Sequence, residues 1–254
     1  MIHKTAIIEG NVKIGENVSI GPYSFISGNI EIGDNTEIGH AVQIEGNVKI
    51  GPGNKILHSS YIGAPPQDFS YKGAETFVEI GGNNVLREFV QIHRGTKEGT
   101  GTTLGSNCFL MGGTHLAHNV RVGNNVTIAN NSLLAGYVEV DDFAFISGLC
   151  AFHQFVKVGK YVMIGGCSAV GKDCPPFMLI MGNPAAAAGI NVVGLRRREF
   201  TQERRTAIKN AYKILYRSGR NVTQALEELE TLKNNRDILE LIGFIKKSDR
   251  GILR

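Results

Sequence analysis

Aliphatic residues recur along the first two thirds of the chain at intervals of six. Ile occupies positions 2, 8, 14, 20, 26, 32, 38, 44, 50, 56 and 62. The beat resumes at Ile80, Leu86 and Ile92, then continues through Leu104, Leu110, Leu116, Val122, Ile128, Leu134, Val140, Ile146, Phe152, Val158, Ile164 and Val170. Six fits neither the 3.6-residue period of an amphipathic helix nor a long simple alternation. It fits a short strand followed by a corner, three of which close a triangular coil of about eighteen residues. The predicted fold is therefore a parallel β-helix, with each aliphatic side chain pointing inward and stacking on its counterpart one coil away. An ordinary β-sandwich would not hold a fixed period.

The small or β-branched residue two places earlier (Val12, Val18, Ser24, Thr36, Val42) is predicted to point inward as well. Gly and Asn at the corners are expected to take the unusual backbone angles that turning requires. At a strand spacing of about 4.8 Å, roughly nine coils make a prism about 43 Å long. Two polar, Gly/Pro-punctuated segments, 64–77 and 94–103, break the beat and read as excursions that can reach a ligand or a neighbour. The repeat stops at Pro175-Pro176. Spacing near 3.6 then predicts helices over Thr201–Ser218, Val222–Lys233 and Asp237–Lys247, with Thr201 and Asn221 as caps and Gly219 as a stop. Residues 1–184 thus form the prism, and 185–254 a helical domain covering its last coils.

Composition narrows the class. The 254 residues carry a formal charge of only +4, no Trp and 32 Gly. Cys108, Cys150, Cys167 and Cys174 show neither CxxC pairing nor finger spacing, which fits a reducing compartment. The opening MIHKTAIIEG has no apolar h-region, and no stretch approaches a membrane span, so a cytoplasmic location is expected. Aromatic interleaving and a recognition motif for nucleic acid are both absent.

Candidate chemistry collects at one corner. His115 and His118 flank the turn after Leu116, and eighteen-residue arithmetic stacks His118, Gly136 and Gln154 in one column. That column offers a base, a backbone N–H open to close approach and an amide, with Tyr137 and His153 beside it. A corner histidine is ordinarily just solvated; two of them under a Gly and a Gln point to a site.

The stretch HLAHNVRVGNNVTIANNSLLAGYVEVDDFAFISG, with FHQFVKVG, GNPAAAAGINVVGLRRR, PQDFSYKG and IHRGT, resembles the UDP-N-acetylglucosamine O-acyltransferases of lipid A biosynthesis across nearly the whole chain. The resemblance implies a left-handed parallel β-helix with a helical C-terminus. It also implies transfer of a 3-hydroxyacyl group from acyl carrier protein to the 3-position of the UDP-sugar, with neither metal nor cofactor, in a homotrimer whose sites lie between subunits. By the same resemblance His118 is the general base and Gly136 the backbone N–H facing the thioester oxygen. His115, Gln154, Asn191 and Arg197 fall at nucleotide-sugar positions and Asp68 at a sugar-ring position, and His93 and His153 lie near the cleft. Gly166 falls at the acyl-chain stop, with Pro184 near the same end. Arg196, Arg198, Arg204 and Arg205 form a basic patch suited to steering an acidic carrier protein.

Three positions depart from the family pattern. Asn119 follows the base where Asp is common, Tyr137 replaces a His, and Ser70 stands at a Lys position with Lys72 two residues on as a substitute. A neutral amide beside the base suits a 3-amino acceptor, which leaves a sugar N-acyltransferase as the alternative. A zinc carbonic anhydrase built on His93, His115 and His118 and a non-catalytic scaffold are more distant readings; HxxH on a corner is not the zinc family's spacing.

Overall fold

The computed structural model describes all residues 1–254 and turns the six-residue beat into a left-handed parallel β-helix. Strands one coil apart pair in parallel and in register: Ile7–Ile14 lies on Phe25–Ile32, which lies on Gln43–Ile50, so Ile8, Ile26 and Ile44 stack. Successive strands along the chain belong to different flat faces. Ile44, Ile62, Ile92, Leu116, Leu134 and Phe152 form the spine of the first face. Ile50, Ile80, Leu104, Val122, Val140 and Val158 form that of the second. Ile38, Ile56, Leu86, Leu110, Ile128, Ile146 and Ile164 form that of the third. These side chains are almost wholly buried, in one core that continues into the helices.

The smaller inward residues Val18, Ser24, Thr36 and Val42 are buried too. Buried hydroxyls are costly unless paired. Ser24 Oγ donates to the Gly39 carbonyl at 2.9 Å and Thr36 Oγ1 to that of Gly51 at 3.2 Å. The corners divide the task assigned jointly to Gly and Asn. The left-handed backbone angle falls on the third residue after the stacked aliphatic, where Asn17, Asn35 and Asn125 sit, but also Tyr23, Phe89 and Phe155. Apart from Gly63, at φ 84°, the glycines directly after the aliphatic have no positive φ; most are needed because the next coil is too close. A Cβ on Gly33 would lie 2.6 Å from the Gly51 carbonyl carbon.

Both excursions are shorter than the sequence suggests. The first leaves after strand Tyr61–Ala64 and returns at Phe77–Ile80; the second leaves after Gln91–His93 and returns at Gly101–Leu104. Residues 101–103 therefore belong to the prism, where the buried Thr102 hydroxyl donates to Ala117 O at 3.3 Å.

The expected change to helix at 185 is corrected as well. Met178–Gly182 adds to Met163–Ile164 in parallel, and Ala185–Ile190 folds back on it antiparallel, so position 184 lies at a hairpin tip. Helix begins only with α1, Val192–Arg197, which is too short to show a period, and continues with α2, Gln202–Arg217, α3, Val222–Glu230, and α4, Arg236–Lys246. Thr201 and Asn221 cap α2 and α3, Asn221 in a full capping box, and Gly219 takes φ 75° beyond α2. The last residues return to the prism: Asp173 accepts from Lys157 N at 2.8 Å and Ser248 Oγ at 2.6 Å, and its carbonyl from Leu253 N at 2.9 Å. No helix is long and apolar enough to cross a membrane.

Candidate active site

Three residues past the stacked Leu116, the chain turns from the first face to the second through Asn119, at φ 61°. This turn lays the His118 ring directly over the backbone of Gly136 in the next coil. A Cβ on Gly136 would come within 2.5 Å of His118 Nε2, so only glycine allows the approach. The Gly136 N–H donates to no protein acceptor, like its counterparts at 118 and 154. His118 Nδ1 is 3.1 Å from Asn119 Oδ1, and Nε2 is 3.4 Å from Asp68 Oδ2, delivered by the first excursion. The Asn119 amide therefore occupies the orienting position, although it brings no charge.

The Ser70 N–H donates to Asp68 Oδ1 at 2.7 Å, and Ser70 holds the Asp68 carboxyl below the usual carboxylate range. Ser70 thus has a role of its own in this loop. Lys72 does not replace a lysine at 70: its ammonium turns back to the Phe69 carbonyl at 3.1 Å.

A groove of about 400 Å³ runs past His118 and Gly136 and includes His93, His115, Gln154 and the apolar Leu133, Ala151 and Phe152. Gln67, which sequence reasoning passed over, also lines it; its only signal was its place beside Asp68. His93 and His115 stack with ring centroids 4.9 Å apart. His93 Nδ1 donates to Pro65 O at 2.7 Å. Burial lowers the pKa of both rings, that of His115 to about 4, so both are neutral near pH 7 and offer no charge to a phosphate. Stacked rings do not converge their nitrogens on one point, and no group of three His, Cys, Asp or Glu is placed to hold a metal ion. His153 is exposed and turned to the Gln154 carbonyl at 3.1 Å, outside the groove.

Asn191 and Arg197 are not brought to His118. They line a second groove, of about 490 Å³, against Phe145, Met163 and Leu179 on the third face. Asn191 caps α1, accepting from Gly194 N at 2.9 Å and donating to Tyr161 O at 2.8 Å. Gly166 is exposed at a corner between the third and first faces, and a Cβ there would meet only Gly148 O, at 3.5 Å, and Ser147. Neither it nor Pro184 borders the His118 groove.

The arginine cluster also divides. Arg204 is committed to the fold: it holds buried Asp237 through two hydrogen bonds of 2.9 and 2.7 Å and lies 3.6 Å over the Phe200 ring. Arg205 bonds Phe200 O and Gln202 Oε1. Arg196 and Arg198 remain exposed, Arg198 over Phe143.

Residues 173–253 match the family model described as UDP N-acetylglucosamine O-acyltransferase, domain 2, and 29–64 and 101–136 match the bacterial transferase hexapeptide model. A protein of Aliivibrio fischeri named acyl-[acyl-carrier-protein]–UDP-N-acetylglucosamine O-acyltransferase is 51% identical over all of this chain and 97% of its own. Among solved structures, the UDP-N-acetylglucosamine acyltransferase of Bacteroides fragilis is 44% identical with a TM-score of 0.97, covering all of both chains. The Arabidopsis enzyme of the same name is 33% identical with a TM-score of 0.87, again covering all of both.

Proposed function

Because the chain belongs to the UDP-N-acetylglucosamine O-acyltransferase family, we propose that it acylates the sugar 3-hydroxyl of UDP-N-acetylglucosamine with His118 as general base. It is an acyltransferase that draws on acyl carrier protein and opens lipid A biosynthesis. The observation that carries the mechanism is the His118 ring lying on Gly136 with Nε2 toward the groove.

A sugar hydroxyl is a poor nucleophile, so His118 Nε2 takes its proton as the oxygen attacks the thioester carbonyl carbon. The carbonyl π pair moves to oxygen, where the unpaired Gly136 N–H stabilises the charge. Collapse expels the carrier's thiolate, which receives the proton from Nε2–H. An ester and a free thiol leave, and the enzyme is unchanged. Asp68, ionised beside Nε2, supports the imidazolium and can accept from another sugar hydroxyl.

The residues expected to hold the nucleotide-sugar line grooves on different faces of the prism, which supports a shared site. The outward residues of the second face alternate in charge: Lys13, Glu31, Lys49 and Glu79. Those of the first face (Leu133, Ala151, Ala169) and third face (Phe145, Met163, Leu179) are apolar toward the C-terminal end. Packing the first face of one copy on the third face of the next joins the His118 groove to Asn191 and Arg197. Repeated around a ring, that heterologous contact closes as a homotrimer. Arg196 and Arg198, at the rim, are placed to steer the acidic carrier.

The test is an assay with 3-hydroxyacyl carrier proteins and either UDP-N-acetylglucosamine or its 3-amino analogue, with light scattering to give the oligomer. Transfer only to the amino sugar, which the neutral Asn119 would favour, overturns the hydroxyl acceptor. Mixing subunits carrying His118→Ala with subunits carrying Arg197→Ala restores part of the activity each lacks alone, because some sites receive both intact halves. A fully active monomer overturns the shared site.

The open corner at Gly166 leaves room for a long chain between the packed faces. Each buried methylene is worth about 0.8 kcal/mol. Gly166→Met is expected to move preference toward shorter donors with the oligomer unchanged; an unaltered profile across donor lengths shows that the chain never reaches this corner.

A further inference from the structure

Asparagine has two nearly isosteric ends, and only one suits a neighbouring base. With the Asn119 carbonyl oxygen facing His118 Nδ1, the ring keeps its proton on Nδ1 and presents the Nε2 lone pair to the groove. With the amide nitrogen there, Nδ1 must accept, the proton moves to Nε2, and Nε2 can no longer receive one from a hydroxyl.

The choice is made outside the imidazole, by the second excursion. The Thr96 backbone N–H donates to Asn119 Oδ1 at 3.1 Å, and the Thr96 hydroxyl donates to the same oxygen at 3.0 Å. A backbone N–H can only donate, so turning the amide round would oppose donor to donor. The Thr96 hydroxyl is 3.0 Å from the Tyr137 hydroxyl, which can supply the proton to its remaining lone pair. Tyr137 is held by stacking on Phe155 at 4.8 Å and meets the His118 ring edge-on at 5.3 Å. His118, Asn119 and Thr96 are all buried, so water does not readily replace a lost bond. The other titratable groups facing His118 are Asp68 on the Nε2 side, His93 on the first face and Tyr137; none of them hydrogen-bonds Nδ1.

We propose that Thr96, supported by Tyr137, is a positioning residue that fixes the tautomer of His118 by holding the carbonyl end of Asn119 against Nδ1. The inference rests on His118 being the base. It assigns a use to two residues, one in a loop and one at a corner, that otherwise touch neither substrate half.

The experiment is a double-mutant cycle between Thr96→Val and Asn119→Asp, read as kcat at saturating substrates. Thr96→Val is expected to lower kcat about two- to tenfold, the scale of one hydrogen bond, with KM for the UDP-sugar unchanged. Thr96→Ser restores it. In the Asn119→Asp background Thr96→Val costs little, because a carboxylate presents an oxygen either way round. That background also shifts the acid limb of the pH profile upward, since a negative neighbour favours the protonated ring. Tyr137→Phe follows the same pattern with a smaller loss, and thermal unfolding of every variant checks the fold. Equal losses in both backgrounds mean that Thr96 only supports the loop, and the inference falls. His118→Ala, measured alongside, separates the failures: if it keeps turnover, the base assignment falls first and takes this inference with it.

Discussion

Replacing His118 with alanine removes nearly all turnover, a loss of about 10²–10⁴-fold in kcat, while the protein stays folded. The ring is buried, but it borders the groove and bonds only Asn119 and Asp68, so its removal widens the groove rather than opening a hole in the aliphatic core. His115 cannot readily take over. Its burial holds it near pKa 4, far below the range in which an imidazole accepts a hydroxyl proton efficiently. The measurement is kcat for acyl transfer, with circular dichroism and light scattering as controls. A variant that keeps its rate moves the base elsewhere.

Gly136→Ala is expected to cost about 10²-fold or more in kcat, with a smaller loss of stability. The position has no positive φ, so alanine meets no backbone strain there. The damage is local: the new methyl occupies space held by the His118 ring, with only 2.5 Å to Nε2. The ring must move, or the two coils must part. Misplacing a base by about 1 Å can cost 10²-fold, and disturbing an oxyanion donor costs a similar factor. Overpacking adds about 1–3 kcal/mol of destabilisation, read as a lower Tm. Wild-type kcat in this variant excludes Gly136 as the oxyanion donor and the observed ring position as the productive one.

The prism was legible because its interior admits one aliphatic side chain per rung on each face. Burial at that interval leaves a period that loops interrupt without erasing. The same eighteen-residue arithmetic stacks His118 beneath Gly136. The edges of the excursions were not legible. Residues 101–103 carry a strand in polar letters, since Thr102 satisfies its hydroxyl on Ala117 O inside the core. Helix α1 was too short for periodicity, and Ala185–Ile190, rich in alanine, became a strand only because Met178–Gly182 offered an edge.

By itself, then, the sequence determined the coil, its register and the column holding the base, because each follows from contacts at a constant separation along the chain. Tertiary structure decided the rest. It decided that Arg204 clamps Asp237, that Asp68 reaches Nε2, and that Thr96 donates twice to the Asn119 oxygen facing the base. It also decided that Asn191 and Arg197 lie in a groove of their own. Those relations join segments whose separation obeys no period, so only the folded path of the loops and the closing helices sets them.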